Sequence, residues 1–312
     1  MNMKKMIVAV VAATGAAIPG LAQDDADTVR LAVGGAEATV SLHGGRILSF
    51  KTADCGELLW HPRAWRLEGP GWAHGGIPIC WPWFGSRGPV PGMLHGFAWM
   101  QRFEVRSKAS SPERSEVVIG FSSNAETRKI WPYDFDVELK VTLTDRLSLE
   151  LRTTNKGDST FQLTTGFHPY FAIGERDRTV VTGTDGMKFC DSRVKRTFGS
   201  VWKGDMNLSS SFDHVFMESK STASHSVVDP VLGRRINERS VGAARLVVWN
   251  PGEEEEASPN PKPGDLAVGD WRRMVCVEPA ILWPDVARHV APGRTHVIST
   301  EISAERWYNS RP

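Results

Sequence analysis

Cysteine is scarce in this 312-residue chain, at four, and tyrosine scarcer still, at three. Cys55, Cys80, Cys190 and Cys276 form no C-x-x-C pair, which argues against a zinc ribbon or a thioredoxin-type motif. Cys80 and Cys276 end or interrupt apolar runs (77–80 and 274–277), so free thiols buried as small hydrophobes are expected; an oxidising compartment would also permit a disulfide. A surplus of positive charge is missing too, because 37 Lys plus Arg face 36 Asp plus Glu. Phosphate backbones are held by clustered Lys and Arg, so no nucleic-acid partner is expected. The nine histidines show no H-x-H or H-E-x-x-H spacing, and there is no G-x-S-x-G, Walker A or G-x-G-x-x-G. The common metal, nucleophile and phosphate-loop motifs are thereby removed, and neither a metal nor a cofactor is expected.

What is present is a globular composition, 41% hydrophobic and 23% charged, which excludes global disorder and coiled coil. Lys4 and Lys5, the apolar run 6–18 and Pro19-Gly20-Leu21-Ala22 have the layout of a secretory signal peptide. Residues 1–22 are expected to be a cleaved leader, with an uncleaved membrane anchor as the rival. The remainder would then be exported, one charge negative, and without stable membrane insertion. Residues 23–312 are expected to form a single domain, acting as a monomer on a small molecule.

Most of that domain reads as strand. Alternation or β-branched enrichment marks 28–33, 38–42, 46–51, 116–122, 136–144, 147–154, 161–166, 245–249, 273–278 and 296–302. Thr144-Asp145-Arg146 reads as a hairpin turn, and Leu147, Leu149 and Leu151 should share one core-facing side. No fifteen-residue window keeps a helical stripe. An all-β antiparallel sandwich or barrel follows. The stretch 251–270, with Glu253–Glu256 at its start, reads as a solvated loop.

Three islands could carry chemistry. The first spans 60–99 and holds six of the twelve tryptophans, together with His61, His74 and His95. Aromatic faces stack on the C–H faces of sugars, so this cluster reads as a site wall, although any single Trp in it is as well explained by the core. The second is Thr164-Thr165-Gly166-Phe167-His168-Pro169-Tyr170-Phe171, where His168 can serve as general acid or base. The third is Met274-Val275-Cys276-Val277-Glu278-Pro279. Its apolar surroundings should bury Glu278 and raise its pKa toward the range of a base. A His and a Glu without a nucleophile point to proton transfer.

Taken together the islands resemble a known family. Gly75-Gly76-Ile77-Pro78-Ile79-Cys80-Trp81-Pro82-Trp83-Phe84-Gly85, His95-Gly96-Phe97-Ala98, His168 before Tyr170-Phe171, Val247-Val248-Trp249-Asn250-Pro251 and Met274-Val275-Cys276-Val277-Glu278 are similar, in order and spacing, to the hexose-6-phosphate mutarotases. These are also called glucose-6-phosphate 1-epimerases, a branch of the aldose 1-epimerase (galactose mutarotase-like) superfamily. The resemblance implies a large β-sandwich of the supersandwich type and cofactor-free interconversion of sugar anomers. It implies His168 as general acid, Glu278 as general base, Asp213 as a ligand of sugar hydroxyls and His95 as a further pocket residue. For that role His168 must hold a proton near neutral pH, which a neighbouring carboxylate would favour.

The departures from the family pattern fall in one place. Phosphate-specific members usually carry Arg where this chain has His74 and Trp99, and Gln where it has Leu94. His74 and Trp99 are therefore expected to bind substrate, and a Trp suits an uncharged ring better than a phosphate. Arg46, Arg87 and Arg102 are the neighbours that could replace the missing arginines. A non-catalytic carbohydrate-binding protein on the same fold is the alternative reading.

Overall fold

The structure is a computed structural model that describes residues 27–62, 73–86, 88–194, 197–209, 211–253 and 266–307. The expected leader lies outside the described residues, as do Trp65, Trp72, Arg87 and Glu254–Glu256. Two large antiparallel sheets dominate, one of nine strands and one of eight, joined by a four-stranded sheet near the N-terminus and a two-stranded ribbon. The all-β sandwich expected from alternation is what the chain forms. Among the described residues no helix is long and apolar enough to cross a membrane.

Period-2 patterning builds the sandwich. Phe135–Leu143 and Leu147–Asn155 pair in register as the expected hairpin, Leu143 opposite Leu147. Their alternate residues Val137, Leu139, Val141, Leu147, Leu149 and Leu151 are buried at 0–1% exposure. Across the sandwich they share a core with Leu246, Val248, Val275 and Val277 of the eight-stranded sheet. Each such side chain contributes about 1.5–3 kcal/mol by leaving water. Trp81 joins the two layers: it is fully buried, and its indole N–H donates to Thr153 Oγ1 at 2.9 Å. It also lies edge-on to Phe97, Phe121, Trp131 and Phe135.

Two local readings need correction. The run expected as one strand over 161–166 is split: Phe161–Leu163 pairs with Arg288–Val290, while Thr165–Phe167 joins the eight-stranded sheet. The last residue of the 251–270 stretch is not solvated, since Asp270 is buried and its carboxylate accepts the Ala267 N–H, although Val268 beside it is exposed.

The short helix Ala125–Ile130 is held by its cap. Asn124 Oδ1 accepts the N–H groups of Glu126 and Thr127, both at 2.9 Å, and Thr127 Oγ1 accepts the Asn124 N–H at 2.8 Å. A helix of six residues has little intrinsic stability, so the cap decides whether it forms. Asn124→Ala should cost about 1 kcal/mol in urea unfolding; a loss too small to measure would show that water replaces the cap.

Candidate functional site

The side of the eight-stranded sheet facing away from the core carries the candidate residues, and strand alternation puts them there. In Met274–Ile281, Val275 and Val277 enter the inter-sheet core while Cys276, Glu278 and Ala280 face outward. The neighbouring strands Arg245–Asn250 and Phe212–Met217 repeat the pattern, with Val247 and Trp249, then Asp213 and Val215, on the outer side. Register aligns them: Asp213 is opposite Trp249, Trp249 opposite Cys276, and Val247 opposite Glu278.

His168 reaches the same face from the other flank. It sits between strands Thr165–Phe167 and Tyr170–Ala172, both of which pair with Met274–Ile281, and its own N–H donates to Pro78 O at 3.1 Å. The imidazole is stacked on Tyr170 with centroids 4.6 Å apart and on Phe84 at 6.3 Å. His95 meets it edge-on at 5.2 Å. So held, His168 Nε2 lies 3.4 Å from Glu278 Oε2, and the side chains are 7% and 1% exposed.

Burial governs the protonation of this pair. It drives Glu278 well above the ordinary carboxylate range, with help from the nearby carboxyl groups of Asp213 and Glu238. It drives His168 well below its ordinary value, helped by His95 and His74. Desolvation thus works against the protonated His168 that the expected role needs. Both groups are pushed toward their uncharged forms, with the proton between them on Glu278.

His95 is neutral as well, its pKa lowered by burial to about 3. Its Nδ1 accepts the Gly85 N–H at 3.2 Å, which leaves the proton on Nε2 and makes that nitrogen a donor. The His95 backbone sits at φ 59°, a conformation costly for a non-glycine residue and common at functional sites.

His74 is placed by a buried arginine. The Arg46 guanidinium donates to the carbonyls of Ala73, His74 and Gly75 at 2.8–3.2 Å. The turn continues through Gly76 at φ +66°, where a Cβ would run into the Ile47 carbonyl. The His74 ring then lies parallel to Trp249 at 6.0 Å and edge-on to Tyr170 at 5.9 Å. Asp213 accepts a hydrogen bond from the Ser192 hydroxyl. Trp99 donates its indole N–H to Gly96 O at 2.9 Å. Trp99, Trp249, Trp283 and Phe198 are the half-buried aromatics packed around Phe84, Val247, Ala280 and Leu282.

His168, Glu278, His95, His74, Asp213 and Trp99 therefore all border one region of one sheet face. The aromatic wall differs from the expected one. Trp81 and Trp83 belong to the core, and the half-buried aromatics beside Trp99 on this face include Trp249 and Trp283, from outside the 60–99 cluster. Trp249 was visible in the strand 245–249 and in the motif 247–251, but not as part of the wall, since which side it faces depends on register. Cys276 was read as a buried hydrophobe; buried and unbridged it is, like the other three cysteines, but its sulfur lies with the His168 and Glu278 donors, all mutually within 4.8 Å. A search by spacing along the chain cannot find donors 108 positions apart.

Arg46 and Arg102 do not replace the missing arginines. Arg46 is committed to three carbonyls, and Arg102 forms an exposed ion pair with Asp27.

Comparison with known proteins identifies the family and the fold. The family model for aldose 1-epimerase matches residues 27–303. A Salmonella typhimurium protein named "Putative glucose-6-phosphate 1-epimerase" is 28% identical over 257 residues, 82% of this chain and 83% of its own length. A protein of the same name from the plant Cenchrus ciliaris is 28% identical over 254 residues, covering 78% and 74%. Among solved structures, a galactose mutarotase-like protein from Lactobacillus casei superposes with a TM-score of 0.68 at 19% identity, over 89% of this chain and all of that one. A Salmonella typhimurium crystal structure titled a "putative mutarotase" reaches a TM-score of 0.80 at 23% identity, over 93% and 97%.

Proposed function

Because the chain belongs to the aldose 1-epimerase family, we propose that it is a mutarotase acting on an unphosphorylated aldohexose through His168 and Glu278. The observation that carries this reading is the 3.4 Å approach of His168 Nε2 to Glu278 Oε2 on a face floored by aromatic rings. Anomer exchange needs an acid and a base on adjacent oxygens, both within hydrogen-bond reach.

Moving the shared proton from Glu278 to His168 gives carboxylate and imidazolium. Glu278 then takes the proton of the anomeric O1 hydroxyl as His168 protonates the ring O5. The C1–O5 bond breaks with its electrons going to O5, and C1 becomes an aldehyde. Rotation about C1–C2 presents the opposite carbonyl face. The O5 hydroxyl attacks it, returning its proton to His168, and O1 recovers a proton from Glu278. The pair ends as it began, so no co-reactant is consumed. Asp213 accepts from sugar hydroxyls, His95 donates through Nε2, and Trp99 and Trp249 offer faces to the ring's C–H groups.

Support for a neutral sugar comes from the arginines. Besides Arg46 and Arg102, Arg193 is held by Asp191 and Ser211, and Arg245 by Asp285 at 2.5 Å. A phosphate would have to displace those partners. An export leader at 1–22 would also favour free sugars, since sugar phosphates are mostly intracellular. The second reading, hexose 6-phosphate, rests on the names of the relatives.

Anomer exchange followed by NMR or polarimetry on glucose, galactose and glucose 6-phosphate separates these readings. We expect kcat/KM for a neutral hexose to exceed that for glucose 6-phosphate at least about tenfold. The reverse order sinks the neutral-sugar reading alone. Sugar binding without acceleration of any anomer exchange sinks the mutarotase and leaves a carbohydrate-binding protein.

A further inference from the structure

We propose that Cys276, His168 and Glu278 form a zinc site, so that ionic zinc and the sugar compete for the same face and zinc inhibits the enzyme. The inhibition rests on the acid–base reading above; the coordination rests on geometry alone.

Cys276 and Glu278 are two apart on one strand and so face the same side, and His168 closes the third corner from the adjoining strands. Their donor atoms lie within 4.8 Å of one another, and the nitrogen–oxygen pair is 3.4 Å apart. In a tetrahedral zinc site ligand atoms sit roughly 3.3–3.8 Å apart, as follows from Zn–N and Zn–O distances near 2.0–2.1 Å and Zn–S near 2.3 Å. Small side-chain adjustments close the difference. Glu278 Oε2 points toward this group, is fully buried, and has no hydrogen-bond partner among the described residues. Such an oxygen is a ligand atom in waiting, because leaving it unmatched costs free energy.

The donor set selects the metal. One imidazole, one sulfur and one carboxylate suit zinc, whereas magnesium and calcium prefer oxygen alone. A dication bound by thiolate, carboxylate and neutral imidazole leaves the site neutral. Water would complete the shell at the fourth position, and a zinc ion there occupies the place that the sugar's O1 and O5 need. With zinc bound, His168 and Glu278 cannot exchange protons with O5 and O1.

The test uses the full chain, freed of metal by a chelator. Zinc is titrated by calorimetry, and cobalt(II) by absorption, where a thiolate ligand produces a charge-transfer band in the near ultraviolet. We expect one metal per chain, the cobalt–thiolate band, and loss of that band in Cys276→Ala. Zinc affinity should fall at least about tenfold in Cys276→Ala and in Glu278→Gln, since losing even an outer partner of a ligand costs 10–100-fold. Saturating zinc should slow anomer exchange at least about tenfold, reversibly on adding chelator, and added sugar should raise the zinc needed. In Cys276→Ala the half-inhibiting zinc concentration, measured against that variant's own metal-free rate, should rise by a similar factor. Absence of the cobalt–thiolate band, or zinc binding indifferent to both substitutions, overturns the proposal even if exchange is fast. A band that depends on Cys276 in a protein with no exchange on any sugar supports the coordination and overturns the mutarotase reading instead.

Discussion

Replacing Glu278 by Gln should lower kcat for anomer exchange about a thousandfold, the middle of the range for a lost general base. The substitution preserves shape in a site only 1% exposed, so the fold should survive. Gln also removes the costly buried carboxyl, which favours stability. What it cannot do is take a proton from O1. KM should move much less than kcat, because the lost interaction develops in the transition state. His168→Ala should cause a comparable fall, and the double variant little more than either single one, since acid and base act as a unit. A Glu278→Gln variant within tenfold of the parent rate would remove Glu278 from the chemistry.

Glu238→Gln should stabilise the protein at alkaline pH and do little at acid pH. Glu238 lies in Arg234–Val241, a central strand of the nine-stranded sheet, between His225 and Ile302 on the flanking strands. It is 3% exposed. Its Oε1 accepts from the Thr300 hydroxyl at 3.0 Å, while Oε2 has no hydrogen-bond partner among the described residues. Burial raises its pKa to about 8, from an ordinary 4.5, and the Thr300 bond only partly opposes this. The folded state therefore keeps a proton that the unfolded chain releases. The resulting stability is fully present below the unfolded pKa and is lost as pH rises through the folded one. At about 1.4 kcal/mol per pH unit, the loss is on the order of 4 kcal/mol by pH 8. Gln stays neutral throughout, so the variant should gain on the parent by that order at pH 8 and match it closely at pH 4. Urea unfolding of both proteins at the two pH values measures the difference. The comparison also cancels the opposite trend of Glu116, Asp136 and Asp191, whose pKa values are lowered. An equal difference at both pH values would show that the pKa of Glu238 is the same in the folded and unfolded chain.

Much of the frame was legible from local pattern. The hairpin 135–155 alternates without interruption, and it pairs in the register that its Thr144-Asp145-Arg146 turn implies. Strands Thr222–Asp229 and Arg234–Val241 escaped notice because inward positions hold His225, Glu238 and Ser240 in place of apolar residues. The alternation is there in burial but not in hydrophobicity. Arg234 is buried in the same way, its guanidinium donating to the carbonyls of Cys55, Glu57 and Ala172.

By itself the sequence determined the all-β class and the hairpin across Thr144-Asp145-Arg146, which depend on side-chain alternation and turn chemistry within a few residues, while the resemblance of its ordered motifs to a known family placed His168 and Glu278 among the candidates. Only the tertiary structure decided which tryptophans line the site, since Trp81 is drawn into the core and Trp249 is turned outward by its register with Asp213 and Cys276. It alone brought Cys276, read from the sequence as a buried hydrophobe, against His168 and Glu278. It also set the direction in which the pair is pushed: burial strips His168 and Glu278 of water, which favours their uncharged forms, and desolvation is a property of the packed molecule that no stretch of chain carries alone.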